Sequence, residues 1–206
     1  MKAYRVHEYG DAAKFIGEEV SKPSAKQGHV VVEVKASSLN PVDHKLLKCD
    51  LGINPALPGI LHMDVSGVIT EVGKGVTAFK TGDEIYGCAG GLQGEAGNIE
   101  GALADFMLAD SNLIALKPKS LSFSESAALP LVTITAWEGL FDRAHIKKED
   151  YVLIHGGAGG VGHIAIQLAR QHGTRIATTV SSEDKAKVAR GLGAEDIIFY
   201  RDEKVE

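Results

Sequence analysis

The stretch HGGAGGVGHIAIQLAR, residues 155–170, decides the fold, because a cluster of glycines in it runs directly into a helical pattern. It contains the spacing G-x-G-x-x-G at Gly157, Gly159 and Gly162. A short apolar strand is predicted before it, over residues 151–155, and an amphipathic helix is predicted after it. The N-terminus of such a helix offers unpaired N–H groups and a partial positive charge, which favour binding of a phosphate group.

Each glycine of the motif has its own expected purpose. Gly157 is expected to let the strand turn sharply, Gly159 to admit a diphosphate close to the backbone, and Gly162 to let the helix pack against the strand. The motif therefore predicts a dinucleotide site, and a glycine-rich turn that binds no ligand is the competing interpretation. The backbone groups expected to hold the diphosphate belong to Gly157, Ala158, Gly159, Gly160, Val161 and Gly162.

Strands and helices alternate around and after the motif. They are predicted as a strand over 151–155, a helix over 160–172, a strand over 176–180, a helix over 183–192 and a strand over 196–200. Gly173 and Gly193 suit the ends of the two helices, and Ser182 suits the start of the second. This order is typical of the first half of a doubly wound parallel sheet. Because a whole sheet of this kind has a second half, we expect the sequence to be a fragment or a truncated form, with a minimal domain as the alternative.

The first part of the chain has a different pattern. Short strands rich in Val and separated by Gly-containing turns favour a partly open barrel. These strands are predicted over residues 29–35, 65–72, 83–86, 104–108 and 113–116. Residues 87–101 contain six glycines and few apolar residues, which predicts a surface loop. The predicted fold class is α/β, with a β-rich domain over residues 1–122 and a partial dinucleotide-binding domain over residues 123–206, in which residues 123–142 are helical on both sides of Pro130.

The residues after the second predicted strand indicate which dinucleotide is bound. NAD-binding domains place a carboxylate there for the ribose hydroxyl, whereas this chain has Ser181 and Ser182. Their hydroxyl groups can bind a 2′-phosphate, and Lys185 can supply positive charge. The pattern therefore favours NADP(H). An ordinary solvated lysine on a helix is the competing interpretation of Lys185.

The composition excludes several classes of function. Lys and Arg number 22 against 27 Asp and Glu, which gives a net charge of -5 and no basic field for nucleic acid. No apolar run approaches the roughly 20 residues of a membrane span. The first ten residues lack the pattern of a signal peptide. Cys49 and Cys88 are the only cysteines, too few for a disulfide framework or a four-cysteine zinc site, so the reducing cytoplasm is the expected location.

Four stretches in order resemble the medium-chain dehydrogenase/reductase superfamily, particularly its zinc-free quinone oxidoreductase branch. They are VVVEVKASSLNPVDHK (30–45), GVITEVGKGVTAFKTGDEIYG (67–87), GALADFMLADSNLIALKPKSLSFSESAALPLVTITAW (101–137) and VLIHGGAGGVGHIAIQLARQHG (152–173). The resemblance implies a GroES-like, partly open β-barrel that carries catalytic residues, followed by a Rossmann domain. It also implies hydride transfer from NADPH to a quinone or an α,β-unsaturated carbonyl, and a homodimer.

The resemblance also implies roles for individual residues. Asn40 occupies the position of a catalytic zinc-binding cysteine in the zinc alcohol dehydrogenases, and it is expected beside the nicotinamide. Thr135 resembles a threonine that contacts the nicotinamide half of the cofactor. Ser181, Lys185 and Tyr200 resemble the group around the 2′-phosphate, although simple packing at a strand end equally explains Tyr200.

The segment NPVDHK resembles the NPVD-x-K segment of plant-type enone and alkenal reductases. This implies that Lys45 lies near the carbonyl oxygen of the substrate and stabilises enolate charge. Asp43 is expected either to orient Asn40 or to pair with Lys45. An exposed turn that contains both residues is the competing interpretation. Because no tyrosine occurs between residues 46 and 61, an acid role for one cannot be transferred from the quinone reductases, which raises the enone alternative.

Two other functions remain open at this point. A zinc-type alcohol dehydrogenase would need metal ligands, and a set of Cys49, His62 and Asp64 matches no familiar zinc spacing. We therefore expect no metal site. A non-catalytic NADPH-binding protein of the crystallin kind is the second alternative.

Overall fold

The structure, a computed structural model, describes residues 1–94 and 97–202. The chain divides into two compact units, of which the first is Met1–Leu131 and the second begins at Val132.

The first unit is rich in β-structure. Its strands within the described residues are β1 (Lys2–Val6), β2 (Ile16–Glu19), β3 (His29–Ser37), β4 (Gly59–Ile60), β5 (Asp64–Val72), β6 (Glu84–Cys88), β7 (Leu92–Gly94), β8 (Gly97–Ile99), β9 (Phe106–Asp110) and β10 (Ile114–Leu116). Its short helices are α1 (Pro41–Lys48) and α2 (Phe123–Ala127), together with a 3-10 turn at Ser111–Leu113.

The central sheet of this unit has the strand order β10-β6-β5-β3-β9, with all neighbours antiparallel. Strand β3 pairs on both sides, and its residues Val30, Val31 and Val32 are fully buried. Ile69 on β5 and Ile85 on β6 are buried as well. The Val-rich pattern that predicts these strands therefore reflects a strand that is covered on both faces. A second sheet has the order β2-β1-β4.

Helix α2 contacts strands β3, β5 and β6 of the first unit. The sequence pattern places a domain boundary after residue 122, ahead of this helix, whereas the division into compact units follows Leu131. It falls inside the next helix, α3 (Pro130–Trp137).

The prediction of a surface loop over residues 87–101 is wrong in part. Strands β7 and β8 form an antiparallel pair there, with Leu92 opposite Ile99. The glycines serve close packing of the backbone, since a Cβ atom on Gly101 would overlap the carbonyl oxygen of Leu61. A high glycine frequency alone does not distinguish a flexible turn from a tight backbone contact. The loop prediction is wrong for this reason. Residues 95 and 96 lie outside the described residues.

Some elements of the first unit have little sequence signal. Strand β4 has only two residues, and strand β2, with the sequence IGEE, has no apolar alternation. Helix α1 replaces the exposed turn that was one interpretation of Asp43 and Lys45. It begins after Asn40, with Pro41 at the first helical position, where proline has the required φ and loses no hydrogen bond.

The second unit follows the predicted order closely. After helix α3 come a π-helical turn (Glu138–Arg143), β11 (Tyr151–Ile154), α4 (Gly160–His172), β12 (Arg175–Val180), α5 (Glu183–Leu192) and β13 (Asp196–Phe199). The three strands are parallel, in the order β11-β12-β13. This confirms the strand, helix, strand, helix, strand pattern of half a doubly wound sheet.

Small side chains let helices α4 and α5 approach strand β12. Ala169 on α4, Ala186 and Ala189 on α5, and Ile166 and Ile176 are all fully buried. The predicted caps are also confirmed: Gly173 has a left-handed φ of 91°, and the Ser182 hydroxyl accepts from the N–H of Lys185 at 3.4 Å.

No helix in the described ranges is long and apolar enough to span a lipid bilayer.

The roles of the motif glycines in the structure differ in part from the expected roles. The sharp turn is made by Gly156, whose φ is 67°, and not by Gly157. Gly157 is required for packing, because a Cβ atom there would overlap Thr178 Oγ1 on strand β12. At Gly162 a Cβ atom would overlap the carbonyl oxygen of Gly156, which agrees with the expected packing of helix against strand. At Gly159 the nearest atom would be 3.1 Å away.

We predict that Gly162→Ala destabilises the protein by about 1–3 kcal/mol, although alanine is the better helix former, because the new methyl group forces the helix away from the turn. Gly160→Ala is the matched control in the same helix, since its Cβ atom would lie 3.7 Å from the nearest atom. Unfolding in urea, followed by circular dichroism, measures both. Equal stability of the two variants would contradict the packing role of Gly162.

Candidate active site

The glycine turn in the second unit is held firmly against strand β12. The Gly156 N–H donates to Thr179 Oγ1 at 2.9 Å, and the Gly157 N–H donates to the Thr179 carbonyl at 3.2 Å. The Gly159 N–H donates back to the Gly156 carbonyl at 2.8 Å. The turn is thereby fixed at the carboxyl end of the parallel strands, where open α/β sheets bind ligands.

The six predicted diphosphate contacts separate into two groups. Gly157 and Gly162 are buried and shape the turn, whereas Gly159, Gly160 and Val161 are exposed and Ala158 is half-buried. Helix α4 begins after Gly159, so its first N–H groups have no acceptor within the helix. This exposed end can hold an anion through backbone N–H groups and the helix dipole.

The residues predicted around the 2′-phosphate lie together at the same sheet edge. Lys185 Nζ donates to Ser181 Oγ at 3.0 Å, and Ser182 caps the helix that carries Lys185. The N–H of Tyr200 donates to the carbonyl of Val180 at 3.3 Å, which places Tyr200 beside the end of strand β12. The Tyr200 side chain is half exposed. A hydroxyl group, an ammonium group and an exposed phenol therefore flank one strand end.

The two acidic residues near this cluster are engaged elsewhere. Glu183 forms an ion pair with Arg190 at 2.8 Å, and Asp184 lies 3.6 Å from Lys187 Nζ. Both carboxylates belong to the first turn of helix α5, where the helix dipole favours negative charge. Neither carboxylate occupies the strand end that a ribose-binding residue would use.

In the first unit, Asn40 is buried and held through both its backbone and its side chain. Its N–H donates to Asp43 Oδ2 at 2.8 Å, and its Nδ2 donates to Asp64 Oδ2 at 2.9 Å and to Ser38 Oγ at 3.1 Å. Of the two expectations for Asp43, an orienting contact to Asn40 is therefore present. The position of Asn40 is fixed by two buried carboxylates.

The other expectation, that Asp43 pairs with Lys45, is wrong. Asp43 is 1% exposed, whereas Lys45 is exposed to solvent. Both belong to helix α1, and side chains two positions apart on a helix point to nearly opposite sides. Lys45 therefore presents its ammonium group without Asp43 as a counter-ion.

Burial perturbs the titration of the groups around Asn40. It raises the pKa of Asp64 and of Asp43, while hydrogen bonds from neighbouring donors act in the opposite direction. It lowers the pKa of His62, against the attraction of both carboxylates. Cys88 faces Asp64 across the β5–β6 pair, and burial together with the nearby carboxylates raises its thiol pKa to about 12. Cys88 is therefore a neutral thiol at physiological pH.

Cys49, His62 and Asp64, which the sequence analysis considered as metal ligands, do not form a metal site. Cys49 is exposed, and its Sγ donates to the Lys45 carbonyl at 3.3 Å, whereas His62 Nδ1 lies 3.1 Å from Ser37 Oγ. Among residues 1–94 and 97–202, no three His, Cys, Asp or Glu side chains are grouped so that they could hold a metal ion.

Thr135 lies on the exposed part of helix α3, within the second unit. Its role at the nicotinamide stays a prediction.

From the sequence, Asp64 is considered only as a member of a metal set that matches no familiar zinc spacing, and Ser38 is overlooked. A signal for Asp64 exists in the sequence, because a carboxylate at the start of the buried strand VSGVITEV needs partners that offset its desolvation. The identity of those partners follows only from the fold, since Asn40 and Asp64 lie on separate elements.

Comparison with known proteins agrees with both units. Residues 26–119 match the model of the alcohol dehydrogenase GroES-like domain, and residues 160–206 match the model of the zinc-binding dehydrogenase family. Among solved structures, the quinone oxidoreductase from Coxiella burnetii superposes with a TM-score of 0.82 at 34% sequence identity, over 99% of this chain and 63% of that chain.

Two curated relatives match the whole of this chain. The 2-methylene-furan-3-one reductase of Solanum lycopersicum is 39% identical, and the chloroplastic NADPH-dependent alkenal/one oxidoreductase of Arabidopsis thaliana is 36% identical. Each match covers 100% of this chain and 54% of the relative, so the chain spans about half the length of these relatives. With a GroES-like domain followed by a Rossmann-type parallel sheet, the chain has the architecture of the medium-chain dehydrogenase/reductase superfamily, and it is similar to the quinone oxidoreductases of that superfamily.

Proposed function

We propose that this chain carries the cofactor-binding and catalytic residues of a reductase that transfers hydride from NADPH to a quinone or an α,β-unsaturated carbonyl. The observation that carries the proposal is the cluster of Ser181, Lys185 and Tyr200 at the strand edge beside the glycine turn. The names of the two curated relatives, a furanone reductase and an NADPH-dependent alkenal/one oxidoreductase, support the same class of reaction.

The residues present fit NADPH. Gly159 leaves space beside the exposed helix end, where the N–H groups of Gly160 and Val161 would bind the diphosphate. Ser181, Ser182, Lys185 and Tyr200 would bind the 2′-phosphate. Bound NADPH supplies the hydride. From the family resemblance we assign Asn40 to the nicotinamide and Thr135 to the nicotinamide half of the cofactor.

The negative charge that develops on the carbonyl oxygen needs a stabilising group. We assign this role to Lys45, whose ammonium group is exposed and is not neutralised by Asp43. Asp43 instead holds the backbone of Asn40. We further propose that the reaction proceeds without zinc, because Asn40 occupies the position of the zinc-binding cysteine and is committed to Asp64 and Ser38. A homodimer and a cytoplasmic location stay predictions.

The function is tested by following oxidation of NADPH and of NADH with three acceptors, a quinone, an enone and a saturated aldehyde. We expect NADPH to be oxidised with the quinone or the enone and the aldehyde to be inactive, with no change after dialysis against a chelator. Reduction of the aldehyde that is lost on chelation would indicate a zinc-type alcohol dehydrogenase. Binding of NADPH without turnover of any acceptor would indicate the non-catalytic, crystallin-like alternative.

We predict that Lys185→Glu raises KM for NADPH by about tenfold or more and leaves KM for NADH nearly unchanged, because only NADPH carries the 2′-phosphate. Lys187→Glu is the matched control: it makes the same charge change on the same helix, but Lys187 Nζ lies near Asp184 and not near Ser181. Steady-state kinetics with both cofactors measures the effect. An unchanged KM for NADPH in Lys185→Glu would remove Lys185 from the site.

We predict that Lys45→Ala lowers kcat by about tenfold or more without changing KM for NADPH, because the ammonium group acts on charge that appears only during the reaction. Lys48→Ala serves as the control, since Lys48 is exposed on the same helix and its Nζ lies 3.3 Å from Asp11. Turnover at the wild-type rate in Lys45→Ala would show that Lys45 is a solvated surface lysine.

A further inference from the structure

The carboxylate of Asp64 is fully buried and accepts hydrogen bonds from two segments of the first unit. Its Oδ2 accepts from the Ser38 hydroxyl at 2.7 Å and from Asn40 Nδ2 at 2.9 Å. Its Oδ1 accepts from the N–H of Leu131, in the first turn of helix α3, at 2.9 Å. These donors fix the orientation of the carboxylate and offset much of the cost of burying it.

This arrangement determines which way the amide of Asn40 faces. An ionised carboxylate only accepts hydrogen bonds, so the end of the amide that faces Asp64 is its NH2 group. Ser38 donates its hydroxyl proton to Asp64 and uses a lone pair to accept from the same NH2 group at 3.1 Å. The donors of Asn40 thus point inward, and its amide oxygen, which faces the Asp43 N–H in the capping box of helix α1, keeps a lone pair that can accept from a bound molecule.

The backbone of Asn40 is held independently of its side chain. Asp43, at the third position of helix α1, accepts the Asn40 N–H at 2.8 Å. The backbone position of Asn40 and the orientation of its side-chain amide are therefore both fixed. Such double support is what a group that contacts a cofactor needs in order to be preorganised.

We propose that Asp64 is a positioning residue of the reductase: it holds the Asn40 amide with its NH2 group inward, so that the amide oxygen can accept from the carboxamide N–H of the nicotinamide. The proposal rests on the proposed function, which assigns Asn40 to the nicotinamide. Asp64 itself touches neither cofactor nor substrate in this role. Ser38 takes part as the hydroxyl that bridges the two side chains.

The decisive variant is Asp64→Asn, which keeps the size of the side chain. An asparagine that still accepts from Leu131 through its oxygen places an NH2 group against the Asn40 NH2 and the Ser38 hydroxyl. Because two NH2 groups cannot bond to each other, the Asn40 amide is expected to rotate. Ser66→Ala is the matched control on strand β5, since Ser66 is fully buried and its hydroxyl bonds to the Ile85 carbonyl at 3.0 Å.

The first measurement does not depend on activity. In 15N-labelled protein, the side-chain amide signals of Asn40 are identified by their loss in Asn40→Ala. We expect these protons to exchange with solvent about tenfold faster or more in Asp64→Asn, with shifted resonances, and to be unchanged in Ser66→Ala. Unchanged Asn40 signals in Asp64→Asn would overturn the proposal. If Asp64→Asn does not give a native spectrum, Ser38→Ala replaces it, because that variant removes the bridging hydroxyl and keeps the carboxylate.

The second measurement is a double-mutant cycle on NADPH oxidation. Asp64→Asn is expected to lower kcat/KM by about tenfold in the wild-type background and to have little further effect in the Asn40→Ala background. The same loss in both backgrounds would show that Asp64 only supports the fold, which contradicts the proposal. If no acceptor is reduced by the wild-type protein, the proposed function fails, while the amide signals still decide whether Asp64 orients Asn40.

Discussion

The close approach of helix α4 to the turn after strand β11 is the constraint on which the second unit depends. Gly162 has no side chain because the carbonyl oxygen of Gly156 occupies that space, and Gly157 has none because Thr178 does. Any side chain at either position would push the helix away from the sheet. Because the helix is held there, its N-terminus lies at one edge of the sheet. Ser181, directly after strand β12, and Tyr200, directly after strand β13, lie at the same edge. A packing requirement inside the unit therefore fixes where an anion can bind on its surface.

The two units use charge in different ways. In the second unit the groups assigned to the cofactor are exposed: backbone N–H groups at a helix end, and the ammonium group of Lys185. Water competes for them, which suits a ligand that must also leave. In the first unit Asp43 and Asp64 are buried and each accepts a hydrogen bond from Asn40, so they act on that residue and not on solvent. The exposed groups suit recognition, whereas the buried groups suit orientation.

Sequence patterns predict the second unit better than the first, for a physical reason. Helices α4 and α5 bury one stripe and carry local caps at Gly173 and Ser182, and all of these signals lie within a few residues. In the first unit, strands such as β4 form only because distant segments pair, and glycines near Gly101 serve contacts with a remote backbone. The cluster proposed to bind the cofactor could be predicted from neighbouring residues for the same reason. The contact from Asn40 to Asp64 crosses 24 positions and depends on the fold.

The state of the Cys88 thiol has a consequence for chemical durability. Quinones and enones are electrophiles that add to sulfur, and the reactive species is the thiolate. Because burial raises the pKa of the Cys88 thiol to about 12, this residue is almost entirely in the neutral thiol form at neutral pH. The carboxylates that hold Asn40 in place thus also suppress ionisation of the thiol on the adjacent strand. The half-buried Cys88 is thereby a poor nucleophile toward electrophiles of this kind.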